Sequence, residues 1–148
     1  MARNVTVSES VHIRATPQAV WDYTQDWSRR SEWDPAILAA EELPGKERVI
    51  RARTSGGDFM VRYKLVDPPK RTSLAMTASS SRIVTGGGGS WEYASEEGGT
   101  RFTQRNTLSI KNRFWAWLFA WPLGWQLRRL TRKALANAKR RLETTVAP

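Results

Sequence analysis

Residues 4–14, NVTVSESVHIR, alternate between two faces: Val5, Val7, Glu9, Val11 and Ile13 on one, Thr6, Ser8, Ser10, His12 and Arg14 on the other. A period of two predicts a half-buried strand, with Glu9 the one carboxylate on its apolar face. Thr16-Pro17 then sets an N-cap before a proline at the first helical position, and Val20, Trp21 and Thr24 mark the inner face of a short helix ending near Asp26. A second short turn over 28–32 is expected before Trp33-Asp34-Pro35, because the residue ahead of a proline is pushed out of the helical region.

From 36 to 111 the pattern predicts six strands, near 36–43, 47–54, 58–67, 71–79, 82–95 and 100–111. Their separators, Pro44-Gly45, Gly56-Gly57, Pro68-Pro69, Ser79-Ser80-Ser81 and Gly98-Gly99, are turn chemistry at hairpin spacing, so the strands read as an antiparallel meander. Phe59, Val61, Tyr63 and Leu65 share one face, as do Trp91 and Tyr93; Phe102, Gln104, Asn106, Leu108 and Ile110 form a third row with two polar insertions. The glycine run 86–89 leads into Ser90-Trp91-Glu92-Tyr93, a strand and not a helix, which argues against a phosphate-cradling loop and predicts a bend or bulge. Past Lys111 the period lengthens: Leu123, Leu127, Leu130, Ala134, Ala138 and Leu142 form one helical stripe, with Pro122 either opening this helix or kinking a longer one.

Composition adds two constraints. The chain of 148 residues fits a single domain, 1–148, large enough for a core with a cavity, and it has no cysteine, so disulfides and thiolate chemistry are excluded. Its single histidine, His12, lies on the polar strand face, and the carboxylates show no ligand spacing, so no metal site and no cofactor are expected. The opening residues lack the apolar stretch of a signal peptide, which leaves a cytoplasmic location, free or peripheral at a membrane, as the expectation. The net charge of +10 is polarised: from Gly98 to Leu142 there are eleven Lys or Arg and no acid. Such a face either is solvated or attracts an anionic partner, a membrane surface or an acidic carrier protein. Nucleic acid ranks low, because the apolar stripe must face the sheet and no base-reading module is recognisable.

The order of strand, two short helices, six strands and a long amphipathic helix resembles the START-related polyketide cyclase/dehydrase and lipid-transport superfamily, SRPBCC. The resemblance rests on Val11-His12-Ile13-Arg14-Ala15-Thr16-Pro17 running into Val20-Trp21, on Asp26 followed by Trp33-Asp34-Pro35, and on Pro68-Pro69-Lys70-Arg71 before a strand. Gly89-Ser90-Trp91-Glu92-Tyr93, Gly99-Thr100-Arg101-Phe102 and the ending Leu142-Glu143 extend it over nearly the whole chain. It implies an α+β helix-grip fold, a seven-stranded bent antiparallel sheet wrapped around the C-terminal helix with two short helices between strands one and two. It also implies a cavity for a hydrophobic small molecule, in proteins that either only bind or catalyse cyclisation, aromatisation or dehydration. No catalytic residue transfers by position.

The candidate pocket comprises Glu9, Trp33, Phe59, Tyr63, Trp91, Tyr93, Gln104, Asn106, Trp117, Trp121 and Trp125. Glu9, if desolvated inside, is the candidate catalytic acid or base; if it lies at the wet end of its strand it is neither. Tyr63, Tyr93, Gln104 and Asn106 offer uncharged hydrogen-bonding groups that orient a guest at lower burial cost than a charge. The stretch FWAWLFAWPLGW, 114–125, holds four of eight tryptophans and no charge. It is too short to span a bilayer and admits three readings: a cover over the sheet's open end, a gate at the cavity mouth, or a face dipping into a membrane interface between Lys111, Arg113, Arg128 and Arg129. The leading function is a carrier or sensor for a planar or polycyclic hydrophobic molecule, and the alternative is a cyclase, aromatase or dehydratase. A monomer and a homodimer are both open.

Overall fold

The computed structural model describes residues 3–45, 47–111 and 114–146. Seven antiparallel strands, β1 (Arg3–Ile13), β2 (Ala39–Leu43), β3 (Val49–Thr54), β4 (Gly57–Asp67), β5 (Arg71–Ser79), β6 (Val84–Glu96) and β7 (Gly99–Ile110), form one sheet in the order β1-β7-β6-β5-β4-β3-β2. Helix α1 (Pro17–Thr24) and a tight 3-10 turn (Trp27–Glu32) lie between β1 and β2; α2 (Phe114–Trp117) and the long α3 (Ala120–Val146) follow β7. Strands β2 to β7 run as a meander, and β1 joins the far edge through pairing with β7 from Arg3 opposite Ile110 to Ile13 opposite Thr100. This is the α+β helix-grip arrangement, an open antiparallel sheet with a long C-terminal helix against it.

Local chemistry places the early elements. The Thr16 hydroxyl accepts from the Ala19 amide at 3.2 Å, with Pro17 at the first helical position. Asp26 does not end α1, which stops at Thr24; its carboxylate caps the 3-10 turn, accepting from the Ser28 amide at 3.1 Å. Pro122 lies in the first turn of α3, where amides have no helical partner, so it opens the helix without breaking it.

Two strands depart from strict alternation. Against β5, β4 slips register between Met60 and Val61 and again between Tyr63 and Leu65. Tyr63 therefore turns inward, while Leu65, expected on the same face, is 40% exposed. Against β7, β6 slips between Val84 and Gly86, the bulge expected of the glycine run. Gly87 has φ +147°, and a Cβ there would stand 2.2 Å from the Thr107 carbonyl oxygen, so only glycine fits.

The main core joins Ile13, Val20, Trp21, Trp33, Ile50 and Phe102 to Ala134, Leu135, Ala138 and Leu142 of α3. The apolar stripe of α3 thus divides. Its C-terminal half is packed solid, whereas Leu123, Leu127 and Leu130 are only half-buried, because the space beneath them is not filled by the sheet.

Candidate ligand-binding cavity

Beneath the N-terminal half of α3 lies a cavity of about 520 Å³. Ala52, Phe59, Val61, Leu74, Met76 and Trp91 wall it from the sheet, Leu123, Leu127 and Leu130 roof it, and Trp27, Arg30, Asp34 and Ile37 close one side. Strands as distant in sheet order as β3 and β7 border one space, so the sheet curls around it. Gly88 and Gly89 also line it; a Cβ on Gly89 would stand 3.3 Å from both Asn106 Oδ1 and the Trp91 ring, so part of the room exists because that side chain is missing.

One wall is built on a buried cation. A 3-10 turn has three residues per turn, so side chains at i and i+3 eclipse, and the spacing Trp27, Arg30, Trp33 stacks three of them in a column. The Arg30 guanidinium lies 4.4 Å from the Trp27 ring centre and 4.3 Å from that of Trp33, with Trp91 of β6 at 4.8 Å. Its charge is balanced by Asp34, 3.0 Å from Nε, and Asp34 in turn accepts from the Ala36 amide at 3.1 Å. Both side chains are almost wholly buried, a position an arginine holds only when paired.

On the adjoining wall, Trp91 and Gln104 are register partners across β6 and β7, both nearly fully buried and both lining the cavity. The Trp91 Nε1 donor and the Gln104 Oε1 acceptor have no partner among the described residues. Burying such an atom unpaired costs about 1–3 kcal/mol, and Tyr23 Oη and Trp33 Nε1, away from the cavity, are in the same position. Asn106, one rung along, is committed to the fold: its Nδ2 donates to Thr131 Oγ1 of α3 at 3.1 Å.

The remaining sequence candidates lie elsewhere. Tyr63 and Tyr93 stand behind the cavity wall in a closed relay: Trp27 Nε1 donates to Tyr63 Oη at 2.6 Å, Tyr63 to Gln25 Oε1 at 2.7 Å, and Gln25 Nε2 to Tyr93 Oη at 2.7 Å. Thr24, 2.6 Å from Tyr93, gives its own proton to the Val20 carbonyl, so Tyr93 is the donor in that contact. Burial pushes both phenols above the ordinary tyrosine value, keeping them neutral. Trp33 belongs to the core, edge-on to Phe102. Glu9 faces α3 but outside the cavity, in an open groove between β1 and the helix, 3.0 Å from Arg132 and 3.7 Å from Arg128. Those arginines lie one and two turns past the aromatic stretch. His12 binds Glu96 across the strand edge.

The aromatic stretch is not a buried cover. Phe114 is 88% exposed, Leu118 69%, Trp121 82% and Trp125 59%, and neither Trp121 nor Trp125 lines the cavity. The helix turns Leu123 and Leu127 inward, which sends positions 121 and 125 to the opposite face. Phe119 and Pro122, not those tryptophans, border the cavity from this segment. The side chain of Trp117 and all of Arg113 lie outside the described residues.

Sequence reasoning missed Trp27, Arg30 and Asp34. The i, i+3, i+6 column was a signal for Trp27 and Arg30, but an arginine within WSRRSEW reads as surface until the turn is known to be 3-10. Among the described residues no cluster of histidines and carboxylates is placed to hold a metal ion, and no helix is long and apolar enough to cross a membrane.

Comparison with known proteins accords with this architecture. The chain superposes on the Zhui aromatase/cyclase from Streptomyces sp. R1128 with a TM-score of 0.83 at 16% identity, covering 97% of this chain and 96% of that one. The di-domain aromatase/cyclase BexL from the BE-7585A biosynthetic pathway gives 0.76 at 20% identity over 95% of this chain and 50% of that one. A START superfamily protein from Mycobacterium smegmatis gives 0.68 at 16% identity, over 95% and 99%. A search of curated proteins finds no match. Residues 4–143 match the family described as polyketide cyclase/dehydrase and lipid transport, and the chain belongs to that family.

Proposed function

We propose that this protein binds a hydrophobic small molecule in the cavity under α3, as a carrier or sensor. The supporting observation is the cavity itself, lined mostly by apolar side chains and closed on one side by the paired Arg30 and Asp34. A space of about 520 Å³ lies within the range of small-molecule pockets, and its flat neighbours, Phe59 and Trp91, suit a planar or polycyclic guest. Native mass spectrometry of freshly purified protein should reveal a co-purifying mass. Replacing Leu127, in the roof of the cavity, with Trp should displace that guest by filling its space. A protein that carries no guest, and whose tryptophan emission ignores polycyclic ketones, phenols and lipids alike, would overturn the reading.

A second reading, a cyclase, aromatase or dehydratase, is favoured by the family and by the polar group Arg30, Asp34 and Gln104 at one end of the cavity. An acidic carrier protein docking on the basic face of α3 would then deliver the substrate. Glu9 cannot reach a guest in the cavity from its groove, and both Asp34 oxygens are already engaged, so Arg30 and Asp34 would have to exchange partners on binding. Turnover of a poly-β-keto thioester that Asp34→Asn abolishes, with guest affinity retained, selects this reading over the first.

A further inference from the structure

The exposed side chains of Trp121 and Trp125 at the start of α3 do not line the cavity, and theirs is not an ordinary surface. Phe114, Trp115, Leu118, Trp121 and Trp125 stand exposed at one end of the molecule, within a stretch that carries no charge. Monomeric soluble proteins rarely leave so many large apolar side chains together in water without a partner for them. The same end is collared by cations. Along the outer face of α3 the sequence passes from Trp121 and Trp125 to Arg128 and Arg129, and the Arg129 guanidinium lies 5.6 Å from the Trp125 ring centre. Lys111 donates its amide to the Ile83 carbonyl, so Lys111 and the neighbouring Arg82 lie at this end too. Arg82, Lys111 and Arg129 make no ion pair among the described residues, and the chain from Gly98 to Leu142 offers no acid to make one.

We infer that this face docks on an anionic phospholipid bilayer: the aromatic side chains enter the headgroup region while Arg82, Lys111, Arg128 and Arg129 pair with lipid phosphates and carboxylates. Indole and phenyl rings with basic neighbours are the side chains that such an interface accommodates, and no segment needs to span it. A second copy of the chain fits worse. An isologous contact would set each cationic collar against its twin, whereas an anionic lipid surface neutralises it. Phe119 and Pro122 border the cavity from the same segment, so docking would bring that wall of the cavity to the bilayer. The docking itself does not depend on the cavity being occupied.

Sedimentation with vesicles of phosphatidylcholine alone, or with about 30% phosphatidylserine, tests this. Partition should be at least tenfold stronger onto the anionic vesicles, should weaken as salt rises, and should blue-shift the tryptophan emission. The double variant Trp121→Ala/Trp125→Ala should lose about tenfold or more of that partition with an unchanged urea midpoint, since both side chains are exposed. Its affinity for a cavity guest without vesicles should be unaltered, so failure here and failure of the ligand-binding reading are separable. Equal partition onto neutral vesicles, none onto either, or partition indifferent to the double variant would each overturn the inference. So would a concentration-dependent dimer that the double variant dissolves, which would assign the face to a second copy.

Discussion

At the scale of single residues, Arg30 has the most at stake. Its guanidinium is stacked on three indoles and held by one carboxylate, all away from water. Removing the carboxylate leaves an uncompensated charge, so Asp34→Ala should cost about 3–5 kcal/mol, read as a lowered urea midpoint at unchanged slope. Replacing Arg30 and Asp34 together by leucines should recover much of that loss, because a buried pair exchanged for apolar groups is often neutral. If the single and double variants unfold at the same urea concentration, the pairing is not what holds the turn. Gln25 shows a different economy: with one oxygen and one nitrogen it fixes the direction of every proton between Trp27 and Thr24, so no member of that relay is left to meet a guest.

At the scale of elements, the period of each segment made the fold legible, since alternation, turn chemistry and the shift to a helical period all act locally. Thr16, the bulge of the glycine run and the inward row from Phe102 to Ile110 stand where pattern alone put them. The site was legible only in part. Phe59, Trp91, Gln104 and Asn106 line the cavity because strand alternation fixes their side, but Tyr63, Tyr93 and Glu9 share that side and are taken up by long-range partners that no period encodes. Those partnerships also set a pH dependence. Donation from His12, reinforced by Arg101, holds the Glu96 carboxyl below its ordinary 4.5, and Lys139 does the same for Glu143, which ties α3 to the Arg14 amide of the β1–α1 link. A carboxyl depressed in the folded state binds fewer protons than it does unfolded, so its stabilisation is full above about pH 5 and fades as pH falls through the folded value. Acid unfolding should therefore steepen below about 4.5, and Glu96→Gln and Glu143→Gln should each flatten that slope in melts taken from pH 6 to 3. A slope untouched by both would place the acid sensitivity elsewhere.

At the scale of the molecule, one sheet serves two ends with opposite tasks. Where α3 meets Trp33, Phe102 and Ile13 the interior is full; where it stands opposite Val61, Leu74 and Trp91 the interior is hollow, and the outer surface there is aromatic and basic. The proposed guest site and the inferred lipid-docking face thus fall at the same end, away from the tightly packed core. Filling the hollow should raise the melting temperature of the whole protein by mass action, by an amount that grows with guest concentration. A further consequence follows from how α3 is fastened. Its backbone amides from Leu135 to Leu142 lie over tight packing, while Leu123, Leu127 and Leu130 border the cavity. One continuous helix should accordingly exchange its hydrogens with deuterated water at two tempos, slow near its end and fast near its beginning, and an occupant of the hollow should bring the faster half into step with the slower.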